Sequence, residues 1–148
     1  MILPVAWRDI MASFTGSCTC GAIRYACTGT QKLSLNCHCR DCQRLSGSAY
    51  LAAVIVDRRT FTFTHGLPHY YTVTAANGMA KHQGFCQHCG APLVVMLDER
   101  PHIIAITVGS FDDSSLYQPQ ADMWVERAQP WDVMNPALPK YPQAYQRA

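Results

Sequence analysis

Three cysteines occur within six positions of the segment CHCRDCQRLSG, residues 37–47. A structural zinc ion usually takes four protein ligands and a disulfide takes two, so a C-x-C-x-x-C group fits neither arrangement. Three thiolates on one zinc ion would leave its fourth position open to water or a substrate, which distinguishes catalytic from structural zinc. Thiolates donate much negative charge, so such an ion is better suited to holding a substrate thiolate than to generating hydroxide. This spacing predicts a zinc centre with an open position, formed by Cys37, Cys39 and Cys42.

Four further cysteines form two pairs that lie far apart in the chain, CTCG near the start and CQHCG after the middle. A glycine after the second cysteine can take a positive φ angle and let backbone N–H groups turn toward the sulfurs. One zinc ion joining two distant pairs is a common structural arrangement. The pairs therefore predict a structural zinc site, with reduced core cysteines or a disulfide as the alternative, on Cys18, Cys20, Cys86 and Cys89.

Other candidate side chains near these cysteines have simpler interpretations. His38 and His88 lie between cysteines, and we expect both to be solvent-exposed spacers that point away from the metal. The alternative for His38 is a fourth ligand that closes the three-cysteine site. Cys27 ends a candidate strand and is expected to be a small buried hydrophobic residue. Arg44 and Ser46 follow the clustered cysteines and either contact a substrate or serve as a solvated arginine and a capping serine.

Composition restricts the class of protein. A chain of 148 residues can bury an ordinary core without crosslinks, so its size does not explain eight cysteines. The first residues, MILPVAWRDIM, do not resemble a secretory signal, which predicts the reducing cytoplasm, where clustered cysteines indicate metal binding or catalysis. No segment approaches the roughly 20 apolar residues of a membrane span. The formal charge of +2 is spread thinly, which argues against a nucleic-acid partner.

The elements that must position the cysteines are mainly strands. Apolar and β-branched residues occur in short runs between turn residues, and no helical periodicity exceeds about three turns. A short helical turn is expected at residues 40–46, and the four prolines of the last segment favour an extended strap over the surface. The predicted strands are residues 22–27, 32–36, 49–56, 60–63, 69–74, 81–85, 92–97, 102–108 and 122–126.

No internal repeat and no shift in composition marks a second domain. The predicted organisation is an N-terminal extension at residues 1–13, one zinc-binding domain at residues 14–142 and a C-terminal tail at residues 143–148.

Four segments together resemble the glutathione-dependent formaldehyde-activating enzyme family, which also includes centromere protein V. They are GSCTCGAIRY (16–25), CHCRDCQRLSGSAY (37–50), FCQHCGAPL (85–93) and DMWVERAQPWDVMNPALPKY (122–141). The resemblance covers about residues 14–142 and includes all seven expected metal cysteines in order.

This resemblance implies a mainly β, single-domain fold with little helix, called a β-tent and built on zinc-binding β-hairpins. It implies two zinc ions per chain, one structural and one catalytic, in the same division of the cysteines that their spacing predicts. In the family's named activity, glutathione binds near the second zinc ion and its thiol adds to formaldehyde, giving S-hydroxymethylglutathione. This is carbon–sulfur lyase chemistry, and it implies a small thiol and an aldehyde as partners. The catalytic zinc ion would be held by Cys37, Cys39 and Cys42.

Two other functions are compatible with the same cysteines. A non-catalytic zinc module could bind a protein or nucleic-acid partner, as the centromeric relative suggests. A thiol–disulfide oxidoreductase would need a free C-x-x-C pair with a lowered thiol pKa, and it would lose these cysteines to metal. The oligomeric state cannot be read from the sequence.

Overall fold

A computed structural model describes residues 13–75 and 77–145 of the chain, so the predicted N-terminal extension lies almost wholly outside the described residues. Within these residues the secondary structure is mainly β, as predicted, with a single α-helix and four short 3-10 helices. In chain order the strands and the helix are β1 Phe14–Ser17, β2 Arg24–Cys27, β3 Gln31–Cys37, α1 Arg40–Ser46, β4 Leu51–Asp57, β5 Phe61–His65, β6 His69–Thr74, β7 Ala80–Phe85, β8 Pro92–Leu97, β9 Ile103–Thr107, β10 Ala121–Met123 and β11 Lys140–Tyr141.

The strands form two sheets. The smaller has the order β1-β2-β5, and the larger has the order β11-β10-β3-β4-β9-β8-β7-β6. Neighbouring strands are antiparallel except around β10, which pairs in parallel with both β3 and β11. The hairpin between β6 and β7 turns at Asn77 and Gly78, where the glycine adopts a φ of 83°. Positive φ at a turn is a conformation that glycine adopts without steric cost.

The hydrophobic core contains residues from both sheets. The small sheet contributes aromatic side chains, such as Tyr25 and Phe61, and the large sheet contributes aliphatic ones, such as Val54 and Ile106. Side chains alternate between the two faces of a strand. In β4, accordingly, Val54 and Val56 are fully buried, whereas Ile55 on the opposite face is partly exposed. The large sheet therefore has one face in the core and one face that lines a cleft.

Several predicted boundaries agree with the structure and others need correction. The strands predicted at residues 69–74 and 92–97 and the helix at residues 40–46 have the predicted bounds. The strand predicted at residues 122–126 is shorter, because Trp124 adopts the left-handed conformation with a φ of 58°. The predicted strap is not simply extended over the surface, because its end forms β11 and adds a strand to the large sheet. The prediction also missed β1, which has only four residues.

Candidate metal centres and the cleft

Two tight turns bring together the two cysteine pairs that are distant in sequence. Gly21 and Gly90, which follow the second cysteine of each pair, have φ angles of 77° and 76°, as expected from the sequence. Each turn is closed by a backbone hydrogen bond, from Gly21 N–H to the Cys18 carbonyl at 3.1 Å and from Gly90 N–H to the Cys86 carbonyl at 2.8 Å. The four sulfurs lie within 4.8 Å of one another, a spacing that could hold a metal ion, on Cys18, Cys20, Cys86 and Cys89.

At two members of this four-cysteine group the surroundings favour the thiolate, which is the form that binds metal. Burial acts to raise the pKa of Cys18, but the Ile23 N–H, 3.3 Å from its sulfur, and the neighbouring thiols outweigh it, so this pKa is lowered. Backbone N–H groups, first that of Ala91 and then that of Cys20, lower the pKa of Cys89 to about 6. Hydrogen bonds to a charged form stabilise it, which is the physical basis of both shifts.

The other three clustered cysteines converge at the start of α1. Cys37 ends β3, Cys39 is the N-cap residue of α1, and Cys42 lies in the first turn of the helix. The Cys39 sulfur accepts a hydrogen bond from the Cys42 N–H at 3.4 Å, as an N-cap side chain does. The three sulfurs lie within 4.8 Å of one another and could also hold a metal ion.

The pKa values of the three thiols are shifted in different directions. Hydrogen bonds from Cys37 and Cys42, together with the nearby charge of Lys81, lower the pKa of Cys39 to about 2. The hydrogen bond from Cys37 to Cys39 raises the pKa of Cys37 to about 12, because Cys37 must keep its proton to donate it. The group therefore stabilises a thiolate at Cys39 even without a metal ion.

Lys81 is a residue of this site that the sequence analysis missed. Its ammonium lies 3.7 Å from the Cys39 sulfur and 2.8 Å from the Asp41 carboxylate. Burial acts to lower the pKa of Lys81, but the hydrogen bond to Asp41 and the charges of Cys39 and Cys42 outweigh burial, so this pKa is raised. Three strands separate β7, which carries Lys81, from β3, so the contact requires the sheet to curve around the cleft. No local sequence pattern signals such a contact.

His38 is buried, and its predicted solvent exposure is wrong. Its backbone N–H donates to the Met123 carbonyl at 2.9 Å, which extends the pairing of β3 with β10. Because side chains alternate, the imidazole points to the face opposite Cys37 and Cys39. Nε2 lies 3.0 Å from Asp122 Oδ1, and Nδ1 lies 2.8 Å from Asp132 Oδ2. The second contact has an ion-pair distance without hydrogen-bond geometry. With both ring nitrogens facing carboxylates, His38 is not the fourth ligand of the three-cysteine group.

The remaining candidate residues belong to neither cysteine group. His88 is exposed, as predicted, and Cys27 is buried in the core, as predicted. Arg44 is exposed and lies outside the cleft, whereas Ser46 accepts the Ser48 N–H at 3.2 Å near the end of α1. Arg44 therefore agrees with its solvated interpretation, whereas Ser46 is the last residue of α1 and the C-cap is Gly47.

A cleft of about 1160 Å³ lies on the second face of the large sheet, and the three-cysteine group forms part of its lining. Lys81 and Trp124 also line it. This volume is slightly above the usual range for small-molecule sites, which is about 300–1000 Å³. The cleft gives a substrate access to the cysteine sulfurs.

A comparison with protein-family models matches residues 13–127 to the family described as glutathione-dependent formaldehyde-activating enzyme. The chain belongs to this family. The match begins at β1 and ends with the 3-10 helix Val125–Arg127, so it includes both cysteine groups of this formaldehyde-activating enzyme family member. Asp132 and Lys140 lie beyond the matched residues.

A solved structure supports the fold of this family member. A crystal structure of a Rhodobacter sphaeroides protein, determined as a structural genomics target, has a TM-score of 0.52 and 15% sequence identity. The alignment covers 86% of this chain and 98% of that chain. At this identity the similarity concerns the fold alone. A comparison with curated proteins finds no significant match. In the described part of this family member, no helix is long and apolar enough to span a membrane.

The buried carboxylate of Asp122 gives a first prediction for this family member. It contacts His38 and also lies 3.0 Å from the Lys140 ammonium. Replacing Asp122 with alanine should lower the free energy of unfolding by about 3–5 kcal/mol, the usual cost of removing one partner of a buried ion pair. Urea unfolding measures this loss. The matched control, Asp98→Ala, removes a mostly exposed partner of His82 and should cost less than about 1 kcal/mol. Equal small losses in both variants would contradict the role of the buried pair.

The same carboxylate predicts how stability depends on pH. Burial acts to raise the pKa of Asp122, but hydrogen bonds from His38, Lys140 and Asn36 outweigh it, so this pKa is lowered. The stabilisation is thus complete above the unfolded pKa of about 3.9 and is lost as the pH falls through the lower folded pKa. The stability difference between the parent and Asp122→Ala should be constant near neutral pH and shrink below about pH 4. Urea unfolding at several pH values measures it, and a difference that persists in acid would refute the prediction.

Proposed function

We propose that this chain joins a small thiol to an aldehyde at a zinc ion, as a carbon–sulfur lyase or synthase, while a second zinc ion stabilises the fold. Both cysteine groups suit zinc, because thiolates are soft ligands and four-sulfur sites are typical of structural zinc. The proposed ligands are Cys37, Cys39 and Cys42 for the reacting ion and Cys18, Cys20, Cys86 and Cys89 for the structural ion.

One observation carries this proposal. Three sulfurs converge in the lining of a cleft, and no fourth histidine, cysteine, aspartate or glutamate joins them among the described residues. Three protein ligands with a position left for substrate is the pattern of a catalytic zinc site, whereas a purely structural site has four. Membership of a family named for glutathione and formaldehyde supports the choice of a thiol and an aldehyde. The unpaired state of all eight cysteines suits a reducing compartment, and we place the protein in the cytoplasm.

The reaction needs a thiolate, a bound carbonyl group and a proton. A zinc ion held by the three cysteines would supply positive charge that lowers the pKa of the substrate thiol. The thiolate sulfur attacks the carbonyl carbon, a carbon–sulfur bond forms, and the carbonyl electron pair moves to oxygen. The Lys81 ammonium, which lies 3.7 Å from the Cys39 sulfur, would stabilise the oxygen anion. The anion then takes up one proton from water, equivalent to the proton that the thiol released to water, and becomes the hydroxyl group of the adduct. Asp41 holds Lys81 in place, and the reverse sequence cleaves the adduct.

Exchange NMR with ¹³C-labelled formaldehyde tests the reaction. The zinc-loaded protein should accelerate the interconversion of formaldehyde and its thiol adduct, with glutathione as the first thiol, and should lose this effect when the metal is chelated. If no thiol and aldehyde pair reacts faster with the zinc-loaded protein than without it, the alternative of a non-catalytic zinc module gains support.

Lys81 gives a prediction for this reaction. Lys81→Met should lower kcat/KM by about 100-fold, because one group that stabilises the developing anion is lost. The zinc content should remain at the parental value, since Lys81 is not a metal ligand in the proposal. Lys32→Met is the matched control, because this exposed lysine lines the same cleft in β3 and has no place in the proposed mechanism. Equal activities of the two variants would remove Lys81 from the mechanism.

A further inference from the structure

The lining of the cleft includes a continuous aliphatic surface, which we call the aliphatic floor. Its central row crosses four neighbouring strands, because Val95 pairs with Ala105, Ala105 with Ile55, and Ile55 with Leu33. Further members come from β8 and β9, and every side chain in the set is partly exposed to the cleft. The aliphatic floor consists of Leu33, Ile55, Val95, Leu97, Ile103 and Ala105.

This floor is not the hydrophobic core. The same strands bury their alternate residues on the opposite face, where Val56, Val94 and Ile104 belong to the core. A sheet with one face in the core usually presents polar side chains on its other face when that face is solvated. Aliphatic residues on both faces therefore indicate that the second face binds something apolar.

The floor is continuous with the three-cysteine group. Cys37 pairs directly with Leu51, and from there β4 leads along the same face through Ala53 to Ile55. Residues two apart in a strand are separated by about 6.6 Å, so this path extends about 13 Å from the strand pair that carries Cys37. Beyond it the lining becomes polar, at Asp57 and Arg100.

Taking the proposed thiol and aldehyde chemistry as given, we propose that the thiol substrate carries an extended apolar chain that lies on the aliphatic floor while its sulfur is at the three-cysteine site. Formaldehyde and a thiol group would occupy only a small part of a cleft of about 1160 Å³. The charged and amide groups of glutathione would find no hydrogen-bond partners on the aliphatic floor, whereas a hydrocarbon chain needs none. The floor thus determines which thiol is bound, and the ion that the three cysteines would hold acts on its sulfur.

A homologous series of ligands tests this proposal. Straight-chain alkanethiols and alkanols of increasing length are titrated calorimetrically into the zinc-loaded protein. Binding of both should tighten by about fourfold for each added methylene and level off when the chain reaches the polar rim. With formaldehyde as co-substrate, kcat/KM should rise along the alkanethiol series and exceed the value for glutathione. The alkanols, which lack a thiol, measure the floor independently of the reaction.

Two isosteric variants give a matched comparison. Val95→Thr replaces a methyl group on the floor with a hydroxyl group and should weaken binding of the longer ligands by about fourfold. Val73→Thr makes the same change on the same face of the edge strand β6, two strands from β8 and outside the cleft, and should leave binding unchanged. The isosteric change keeps the strand preference of valine, so both variants should remain folded.

The outcomes separate the two proposals. Fast reaction with glutathione and no dependence on chain length would overturn the apolar-substrate proposal and leave the proposed reaction intact. Chain-length-dependent alkanol binding without acceleration for any thiol would leave the apolar ligand and refute the reaction. A dimer that buries the floor in solution, detected by sedimentation, would also overturn the apolar-substrate proposal.

Discussion

Cys39→Ser should reduce the zinc content from two ions per chain to one and lower the rate of thiol and aldehyde condensation by more than about 100-fold. Removing a metal ligand should cost at least as much as losing a group that only orients one, which typically costs about 10–100-fold. The fold should be retained, because Cys39 is the N-cap of α1 and serine is a preferred N-cap residue. Elemental analysis, circular dichroism and the exchange assay measure the three quantities.

Cys27→Ser is the control for this substitution. Cys27 is buried in the core and belongs to neither metal-binding group, so the variant should keep two zinc ions and full activity. A parent protein with one zinc ion, or an active Cys39→Ser variant, would contradict the open three-cysteine site.

Cys86→Ser should unfold the protein or lower its melting temperature by tens of degrees. The four-cysteine group joins the turn after β1 in the small sheet to the turn after β7 in the large sheet. A structural zinc ion contributes about 10–16 kcal/mol of binding free energy in small peptides, which is as large as the whole stability of a typical domain, about 5–15 kcal/mol. Thermal unfolding followed by circular dichroism measures the effect.

Cys27→Ser again provides the comparison, because Cys27 and Cys86 are both almost fully buried. The hydroxyl group that this substitution introduces would lie near the Thr60 hydroxyl, which already contacts the Cys27 sulfur at 3.6 Å. The loss should therefore be only about 1–3 kcal/mol. If the two variants lose the same stability, burial alone explains the effect and the four-cysteine group has no special structural role.

Features marked by local sequence patterns could be predicted from the sequence. The spacing of the cysteines separates them into a group of four and a group of three, and the structure brings each group together. The bounds of β6, β8 and α1 agree with the predictions because turn residues or caps mark their ends locally. Gly47, for example, ends α1 with a φ of 66°.

Features determined by distant residues could not be predicted in this way. The burial of His38 depends on Asp122 and Asp132, which lie far along the chain, and no local pattern links them. Lys81 lies 42 residues from Cys39 and reaches it only because the sheet curves. The two-residue strand β11 exists because it pairs with β10, not because of its own strand propensity. Tertiary contacts override local preference in each case.

The positions of the His38 contacts also bear on how the protein forms during synthesis. A ribosome releases the chain from its N-terminus, so the last residue of the four-cysteine group, Cys89, emerges before β10 does. The sulfurs of the three-cysteine group emerge earlier, but the carboxylates that hold His38 between them emerge only with Asp122 and Asp132. The four-cysteine group can thus come together on a nascent chain before the three-cysteine group gains this support.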